Sequence, residues 1–196
     1  MCSSDLNSNR LDQINPQYQP IYGTYTGSVW LRGSGTINIA LTNTTGLNGN
    51  TEITITLTNT WTRYPVSTTF TGSTGNLRFM IVWRSSNTAT SCYAWGTQVN
   101  AGASATTYLQ TTSNLKTIYN PSGYLNEQSS VNLIFPSQSL SGWTANLTAS
   151  FTDNALTSPD GGLTASQVTA TSLNAGYFKT ATVVRDRKST RLNSSH

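Results

Sequence analysis

Five acidic residues could supply acid and base chemistry in the body of this chain: Asp12, Glu52, Glu127, Asp153 and Asp160. A glycosidase needs two carboxyl groups that face each other across the scissile bond. The spacing of these acids supports no such pair, and the single histidine, His196, is the last residue of the chain. The sequence therefore predicts a protein that is not an enzyme and has no catalytic residue.

One acidic segment has the composition of a cation site. The stretch FTDNALTSPDGG gathers Asp153, Asn154 and Asp160 within a few residues. Carboxylate and amide oxygens are the ligands that a hard cation such as Ca²⁺ takes in proteins. Asx turns account for the same residues without a metal. The segment predicts a calcium site at these three residues, and no other cofactor is expected.

Tryptophan and tyrosine are the other side chains that could bind a ligand. Trp83 and Trp143 begin or end strongly apolar strand faces, which predicts that they lie in the core. Trp61, in NTWTRYP, looks like a strand end and is the tryptophan expected to be most exposed. Together with Tyr64 it predicts an aromatic surface on which a sugar ring could stack.

The cysteine content excludes several kinds of site. Between residues 7 and 185 the chain contains one cysteine, Cys92 in SCYAW, and no histidine. A disulfide within this segment, a zinc cluster of cysteine and histidine, and a Ser-His-Asp triad are all excluded there. Cys92 is expected to be a small buried hydrophobic residue.

Both ends of the chain differ from the segment between them. The last eleven residues, DRKSTRLNSSH, are a translated frame of a common short-read sequencing adapter, and MCSSDL translates its reverse complement. We therefore expect residues 1–6 and 186–196 to be adapter-derived scars. Residues 7–185 are expected to form the β-sandwich domain, with a possible sub-boundary near residues 100–106 in the linker-like stretch VNAGASATT.

Charge in the central segment is low and dispersed. Without the two ends, eight of the eleven basic residues and five of the seven acidic residues remain. Nucleic-acid binding requires clustered Lys and Arg, whereas these are scattered along the chain. No nucleic-acid partner is expected from this segment. No stretch reaches the eighteen or so apolar residues of a membrane-spanning helix, so no membrane span is expected in it.

Apolar residues alternate with polar ones, which predicts β-strands. TINIALT and TEITITLT each place isoleucine and leucine on one face and Thr or Asn on the other. The link NTTGLNGN between them predicts a hairpin with a loop longer than two residues. LRFMIVW is apolar on both faces, which predicts a central or covered strand.

Further strands are expected along the whole segment. WTANLTASF has the longest clean alternation and predicts one strand with a firm register. The remaining strand candidates are PIYGTYTGSVWL, CYAWGTQV, TTYLQTT, SVNLIF, LTASQVTAT and YFKTATVV. These segments predict an all-β, antiparallel β-sandwich of roughly 8 to 10 strands, with immunoglobulin-like or jelly-roll topology.

Two segments resemble known families. GWTANLTASFTD followed by GGLTASQVT, within residues 142–171, resembles the closing half of bacterial cell-surface domains of the WxL type. No Trp-x-Leu occurs in this chain, so no wall-binding residue follows from the resemblance. FTGSTGNLRFMIVW is similar to a strand of jelly-roll capsid proteins of small RNA viruses.

Together these features predict a non-enzymatic, extracellular or cell-surface β-sandwich module with an adhesive or structural role. Its expected partners are proteins or cell-surface polysaccharides. A viral capsid jelly roll, which would place the chain in a virion, is the first alternative. A carbohydrate-binding module is the second.

Overall fold

A computed structural model of the chain describes residues 21–43, 50–73, 77–111, 116–117, 131–134, 136–140, 143–146, 149–170 and 176–180. The regular structure of these residues is entirely β. The twelve strands are β1 (Ile21–Gly33), β2 (Thr36–Asn43), β3 (Thr51–Thr56), β4 (Thr62–Ser73), β5 (Leu77–Val82), β6 (Ser91–Ala101), β7 (Lys116–Thr117), β8 (Val131–Asn132), β9 (Thr144–Asn146), β10 (Ala149–Leu156), β11 (Ala165–Ala170) and β12 (Gly176–Thr180).

Ten of these strands form two antiparallel sheets. The front sheet has the order β10-β11-β6-β1-β4, and the back sheet has the order β3-β2-β5-β12-β9. β7 and β8 form a separate two-stranded ribbon. The expected all-β antiparallel sandwich is confirmed, and strands from both sides of residues 100–106 pair with each other in both sheets.

The strand pairing follows a long antiparallel hairpin rolled into two layers, which is the arrangement of a jelly roll. β2 pairs with β3, β1 with β4, β5 with β12 and β6 with β11. The β1·β6 and β2·β5 pairs then complete each sheet. In an immunoglobulin sandwich, two late strands that follow each other in the chain are neighbours in one sheet. Here the consecutive strands β5 and β6 lie in different sheets. In this pairing scheme β11 and β12 take the place of the first two strands of a jelly roll. In the chain they follow β1 to β6, so the order of the strands is circularly shifted relative to that of a jelly roll.

The core lies between the two sheets because alternate residues of each strand point inward. In β1, Val29 and Leu31 are fully buried in this core, so Trp30 between them points to the opposite face of the front sheet. Gly27 permits close packing of the sheets, because a Cβ there would overlap the ring of Phe79. The other main core residues are Ile37, Ile39, Leu41, Leu77, Ile81, Val99, Ile134 and Val168.

Several strand predictions are confirmed in detail. TINIALT and TEITITLT form the β2–β3 hairpin, with Ile39 opposite Ile53. The first six residues of LRFMIVW form β5, which lies between β2 and β12 in the back sheet. Trp83 and Trp143 are both buried in the core.

Other strand predictions are wrong. WTANLTASF is not one strand, because β9 lies in the back sheet and β10 in the front sheet. Trp143 is accordingly buried, while Phe151 is 36% exposed on the edge strand β10. β4 was not predicted. Its inward alternation is interrupted by a polar residue, Thr68, whose hydroxyl donates to Leu41 O instead of packing as an apolar group.

The stretch TTYLQTT was expected to be a strand, but as far as the structure describes it, it belongs to an irregular segment. Residues 102–111, the strap, run without a strand across the face of the front sheet that points away from the core. Gln98 Oε1 accepts the Leu109 backbone N–H at 2.8 Å, and Asn132 Nδ2 donates to Leu109 O at 2.9 Å. Buried side-chain amides thus replace the ladder partners that a strand would have used.

The expected adapter-derived ends, 1–6 and 186–196, lie outside the described residues. Among the described residues, none forms a helix with the length and apolar character needed to cross a membrane.

Candidate functional site

Three large side chains form a row across the outer face of the front sheet. Trp30 in β1 lies directly opposite Arg63 in β4 and directly opposite Trp95 in β6. Residues paired in this way share one face of a sheet, with their Cβ atoms about 5 Å apart. Trp30 and Arg63 are partly exposed, and Trp95 is buried. We call these three residues the aromatic row.

A glycine bulge makes room for the row. The β1–β6 register shifts between Ser28 and Trp30, next to Gly96, which has a φ of 65°. A Cβ at position 96 would lie 2.9 Å from Trp30 Cδ1 and 3.5 Å from Tyr108 Cε2. Only glycine satisfies both the left-handed backbone and the close approach of the two rings.

The strap adds a third aromatic ring beside the row. Tyr108 packs on Trp95 with ring centroids 4.8 Å apart and an interplanar angle of 53°. Its hydroxyl hydrogen-bonds with Ser137 Oγ at 2.8 Å. Burial raises the pKa of Tyr108 to about 12, so the hydroxyl is neutral at physiological pH.

Arg63 provides the positive end of the row. Its Nη1 donates to Thr106 O at 2.8 Å, and its Nη2 donates to Ser28 Oγ at 2.9 Å. These bonds tie β4 to β1 and to the strap. Burial lowers the pKa of Arg63, but guanidinium stays charged in proteins. Among the described residues, no carboxylate lies at salt-bridge distance from Arg63. The ion pair that these residues do form joins Arg84 and Glu52, which lies in the back sheet.

The loop of residues 157–164 bounds the row on the other side. Trp95 Nε1 donates to Thr164 Oγ1 at 3.0 Å, and Trp61 Nε1 donates to Thr157 O at 3.0 Å. Trp61 is partly exposed. The structure therefore joins the predicted aromatic residue Trp61 to the middle of the predicted acidic segment.

Asp160 is the negative group of this loop. Its Oδ1 accepts from Ser158 Oγ at 2.5 Å and from Gly162 N at 3.1 Å, while its Oδ2 accepts from Gln138 Nε2 at 3.2 Å. The negative charge of Asp160 contributes to the raised pKa of Tyr108, and the positive charge of Arg63 opposes it. We call the aromatic row, Tyr108 and Asp160 together the outer-face site.

The other two residues of the predicted calcium site have separate surroundings. Asp153 in β10 accepts hydrogen bonds from Ser139 Oγ at 3.1 Å and from Ser166 Oγ. Asn154 is exposed with a φ of 56°, at the place where the β10–β11 register shifts. Among the described residues, no group of three or more His, Cys, Asp or Glu side chains could hold a metal ion. Calcium binding at these residues stays a prediction.

Tyr64 and Trp61 do not share a surface. Tyr64 lies opposite Val29 and packs against the core, and its hydroxyl donates to Thr56 O at 2.7 Å. Arg63, the residue before Tyr64 in β4, points to the outer face instead. Trp61 instead bonds to Thr157 in the same loop whose Thr164 accepts from Trp95.

Cys92 is a free thiol buried in the core. Burial raises its pKa to about 12, which leaves the thiol protonated and a poor nucleophile at physiological pH. Cys92 is therefore not an activated nucleophile.

Sequence reasoning missed most of the outer-face site. Trp30, Arg63, Trp95 and Tyr108 are far apart in the chain and meet only through the register of β4, β1 and β6. The sequence contained one indication of the site, which is the glycine in YAWGTQ. A glycine inside a strand pattern indicates a bulge or the close approach of another group to the backbone.

Comparison with known proteins finds no matching family model, no matching curated protein and no matching solved structure. Function must therefore be argued from the site itself. The site combines aromatic ring surface, one cation and one carboxylate on a rigid sheet face, which is the composition of a surface for binding a polar ligand with apolar ring faces.

Proposed function

We propose that this chain is a non-enzymatic, extracellular or cell-surface β-sandwich module with an adhesive role, and that it adheres by binding carbohydrate at the outer-face site. The observation that carries the proposal is the aromatic row, in which Trp30 lies between Arg63 and Trp95 on one sheet face. The proposed partner is a cell-surface polysaccharide or a glycan carried by a protein.

The chemistry of a sugar matches that of the site. A pyranose has an apolar face of C–H groups and an edge of hydroxyl groups, so it can stack on a ring while forming hydrogen bonds at its rim. Trp30 and Tyr108 offer ring surface, and both are partly exposed. Asp160 and Gln138 offer an acceptor and an amide beside it.

The scaffold favours recognition over chemistry. Gln98, which holds the strap, is fully buried, and hydrogen bonds hold the side chains of Arg63, Trp95 and Tyr108 in place. A binding face that is already ordered loses little conformational freedom when a ligand arrives. This is a property that an adhesive module needs.

A panel of plant, microbial and animal glycans would test the proposal with the full chain. We expect saturable binding to at least one glycan, and we expect Trp30→Ala to weaken it by about 2 kcal/mol, or roughly thirtyfold in Kd. Phe151→Ala is the matched control, since Phe151 is an exposed aromatic residue on the edge strand β10. Binding to no glycan, or equal loss in both variants, would contradict the proposal.

A viral capsid protein is the second candidate, and the jelly-roll pairing of the strands favours it. This support is an analogy at the level of the fold. Size-exclusion chromatography with light scattering over a range of protein and salt concentration separates the two functions. A β-rich monomer is expected for the adhesive module, whereas growth into large closed particles would establish the capsid.

A further inference from the structure

We infer that the carbohydrate bound at the outer-face site is acidic, and that its carboxylate or sulfate group binds at Arg63. This inference rests on the proposed function and adds the chemical class of the ligand. It follows from three properties of the site: an arginine without a carboxylate partner, two N–H donors without acceptors, and an uneven distribution of charge.

The first property is the charge of Arg63. Its side chain is partly buried, and its bonds to Thr106 O and Ser28 Oγ go to neutral acceptors. A partly desolvated cation is stabilised most by an anion, and arginine forms paired hydrogen bonds with planar carboxylate or with sulfate oxygens. In the part of the chain that the structure describes, no anion fills this role for Arg63.

The second property concerns the hydrogen-bond donors at the same place. Trp30 Nε1 and Arg63 Nε are both buried and have no acceptor among the described residues. The two residues are direct cross-strand partners, so their donors belong to one small region of the face. An unpaired buried N–H costs free energy, which a small movement of Arg63 toward a ligand oxygen would recover.

The third property is the placement of the other charges. Arg32, two residues beyond Trp30 in β1, lies on the same face and is partly exposed. Two cations therefore flank Trp30. The carboxylate of Asp160 already accepts three hydrogen bonds from its own loop and from Gln138. An acidic sugar is thus expected to place its anion toward β4 and its hydroxyl groups toward Asp160.

Matched pairs of polysaccharides test the inference on the full chain. The first pair is polygalacturonate and its methyl ester, and the second is a sulfated galactan and its desulfated form. We expect at least one acidic form to bind about tenfold or more tightly than its neutral partner, since hydrogen bonds to charged groups exceed neutral ones by this order. The advantage should shrink in high salt because of screening.

Variants locate the anion. Arg63→Gln should abolish the preference for the acidic form, while Arg84→Gln should keep it, because Arg84 lies at the back sheet and is already paired with Glu52. Arg63→Lys keeps the charge and should retain part of the preference. If Arg63→Gln fails to fold, Arg63→Lys still tests the placement at Arg63, since a preference of unchanged size in it would contradict that placement. The comparison of the two polysaccharide forms on the unmodified chain still tests whether the ligand is acidic.

The outcomes separate this inference from the proposed function. Equal binding of the acidic and neutral forms would contradict the inference that the ligand is acidic, but it would leave the proposal of carbohydrate binding intact. A preference for the acid that survives Arg63→Gln overturns the placement at Arg63. Binding to neither member of any pair, and to no glycan of the wider panel, overturns both. Carboxylate and sulfate are distinguished by which pair shows the preference.

Discussion

Tyr108 lies against Trp95, with ring centroids 4.8 Å apart, although the two residues belong to an irregular strap and to a central strand. The contact exists because Gln98, three residues after Trp95, holds the backbone of Leu109 next to Tyr108. Buried polar side chains thus build the surface that we propose to be the binding site. This arrangement makes the outer-face site depend on groups that no ligand would touch.

The first prediction concerns Gln98. Gln98→Leu keeps the size of the side chain but leaves the Leu109 N–H without its partner, so we expect the free energy of unfolding to fall by about 2 kcal/mol. Denaturant unfolding followed by tryptophan fluorescence measures this loss. Gln167→Leu, at a partly exposed position of β11, is the control and should change stability by less than about 0.5 kcal/mol. Equal effects of the two changes would show that the strap is not held by Gln98.

The second prediction concerns Gly96, where an alanine would be strained and would also contact Trp30. Gly96→Ala should lower stability by about 1–3 kcal/mol and should weaken glycan binding in the fraction that folds. Gly23→Ala has a comparable strain, with a φ of 97°, but a Cβ there meets nothing within 4 Å. It should lower stability without changing the affinity. Unchanged affinity in Gly96→Ala would contradict the role of the bulge in shaping the row.

The third prediction is a pH dependence at the back sheet. Arg84 donates to both oxygens of Glu52, at 2.7 and 2.6 Å, and this hydrogen bonding is the main cause that lowers the pKa of Glu52. A carboxyl group with a lowered folded-state pKa stabilises the fold above its unfolded-state pKa, and this contribution is lost as the pH falls through the folded-state pKa. The pair is substantially exposed, so its contribution should stay below about 1 kcal/mol.

Unfolding experiments from about pH 7 to about pH 3 check this contribution. Glu52→Gln should be less stable than the unmodified chain at neutral pH, and the two should converge in acid. In the background of Arg84→Gln the difference at neutral pH should be reduced. A difference in stability between the unmodified chain and Glu52→Gln that stays constant across the range would contradict the account.

The sequence predicts the fold class well because period two is a local signal. Ile37, Ile39 and Leu41 alternate within seven residues, and the hairpin that follows them needs no distant information. The same signal failed at Trp143 and Phe151, where a continuous alternation crosses from one sheet to the other. Alternation reports that a residue faces a core, but it does not report which sheet supplies the strand.

The candidate site was harder to predict for a physical reason. Trp61 and Tyr64 are close in the chain, yet Tyr64 packs against the core, whereas Trp61 precedes β4 and its indole N–H donates to Thr157 O in the loop of residues 157–164. Trp30, Arg63 and Trp95 are distant in the chain and adjacent in space because β4 and β6 both pair with β1. Register between distant strands depends on the whole fold, so a single sequence does not specify it.

The most direct test of carbohydrate binding at the outer-face site uses the five tryptophans of the chain. Two-dimensional NMR of the nitrogen-labelled protein resolves their indole N–H groups during titration with the tightest-binding saccharide of the panel. We expect the signals of Trp30, Trp61 and Trp95 to shift with one common Kd, while the core residues Trp83 and Trp143 stay in place. Saturable binding that leaves the Trp30 and Trp95 signals unchanged would contradict the account.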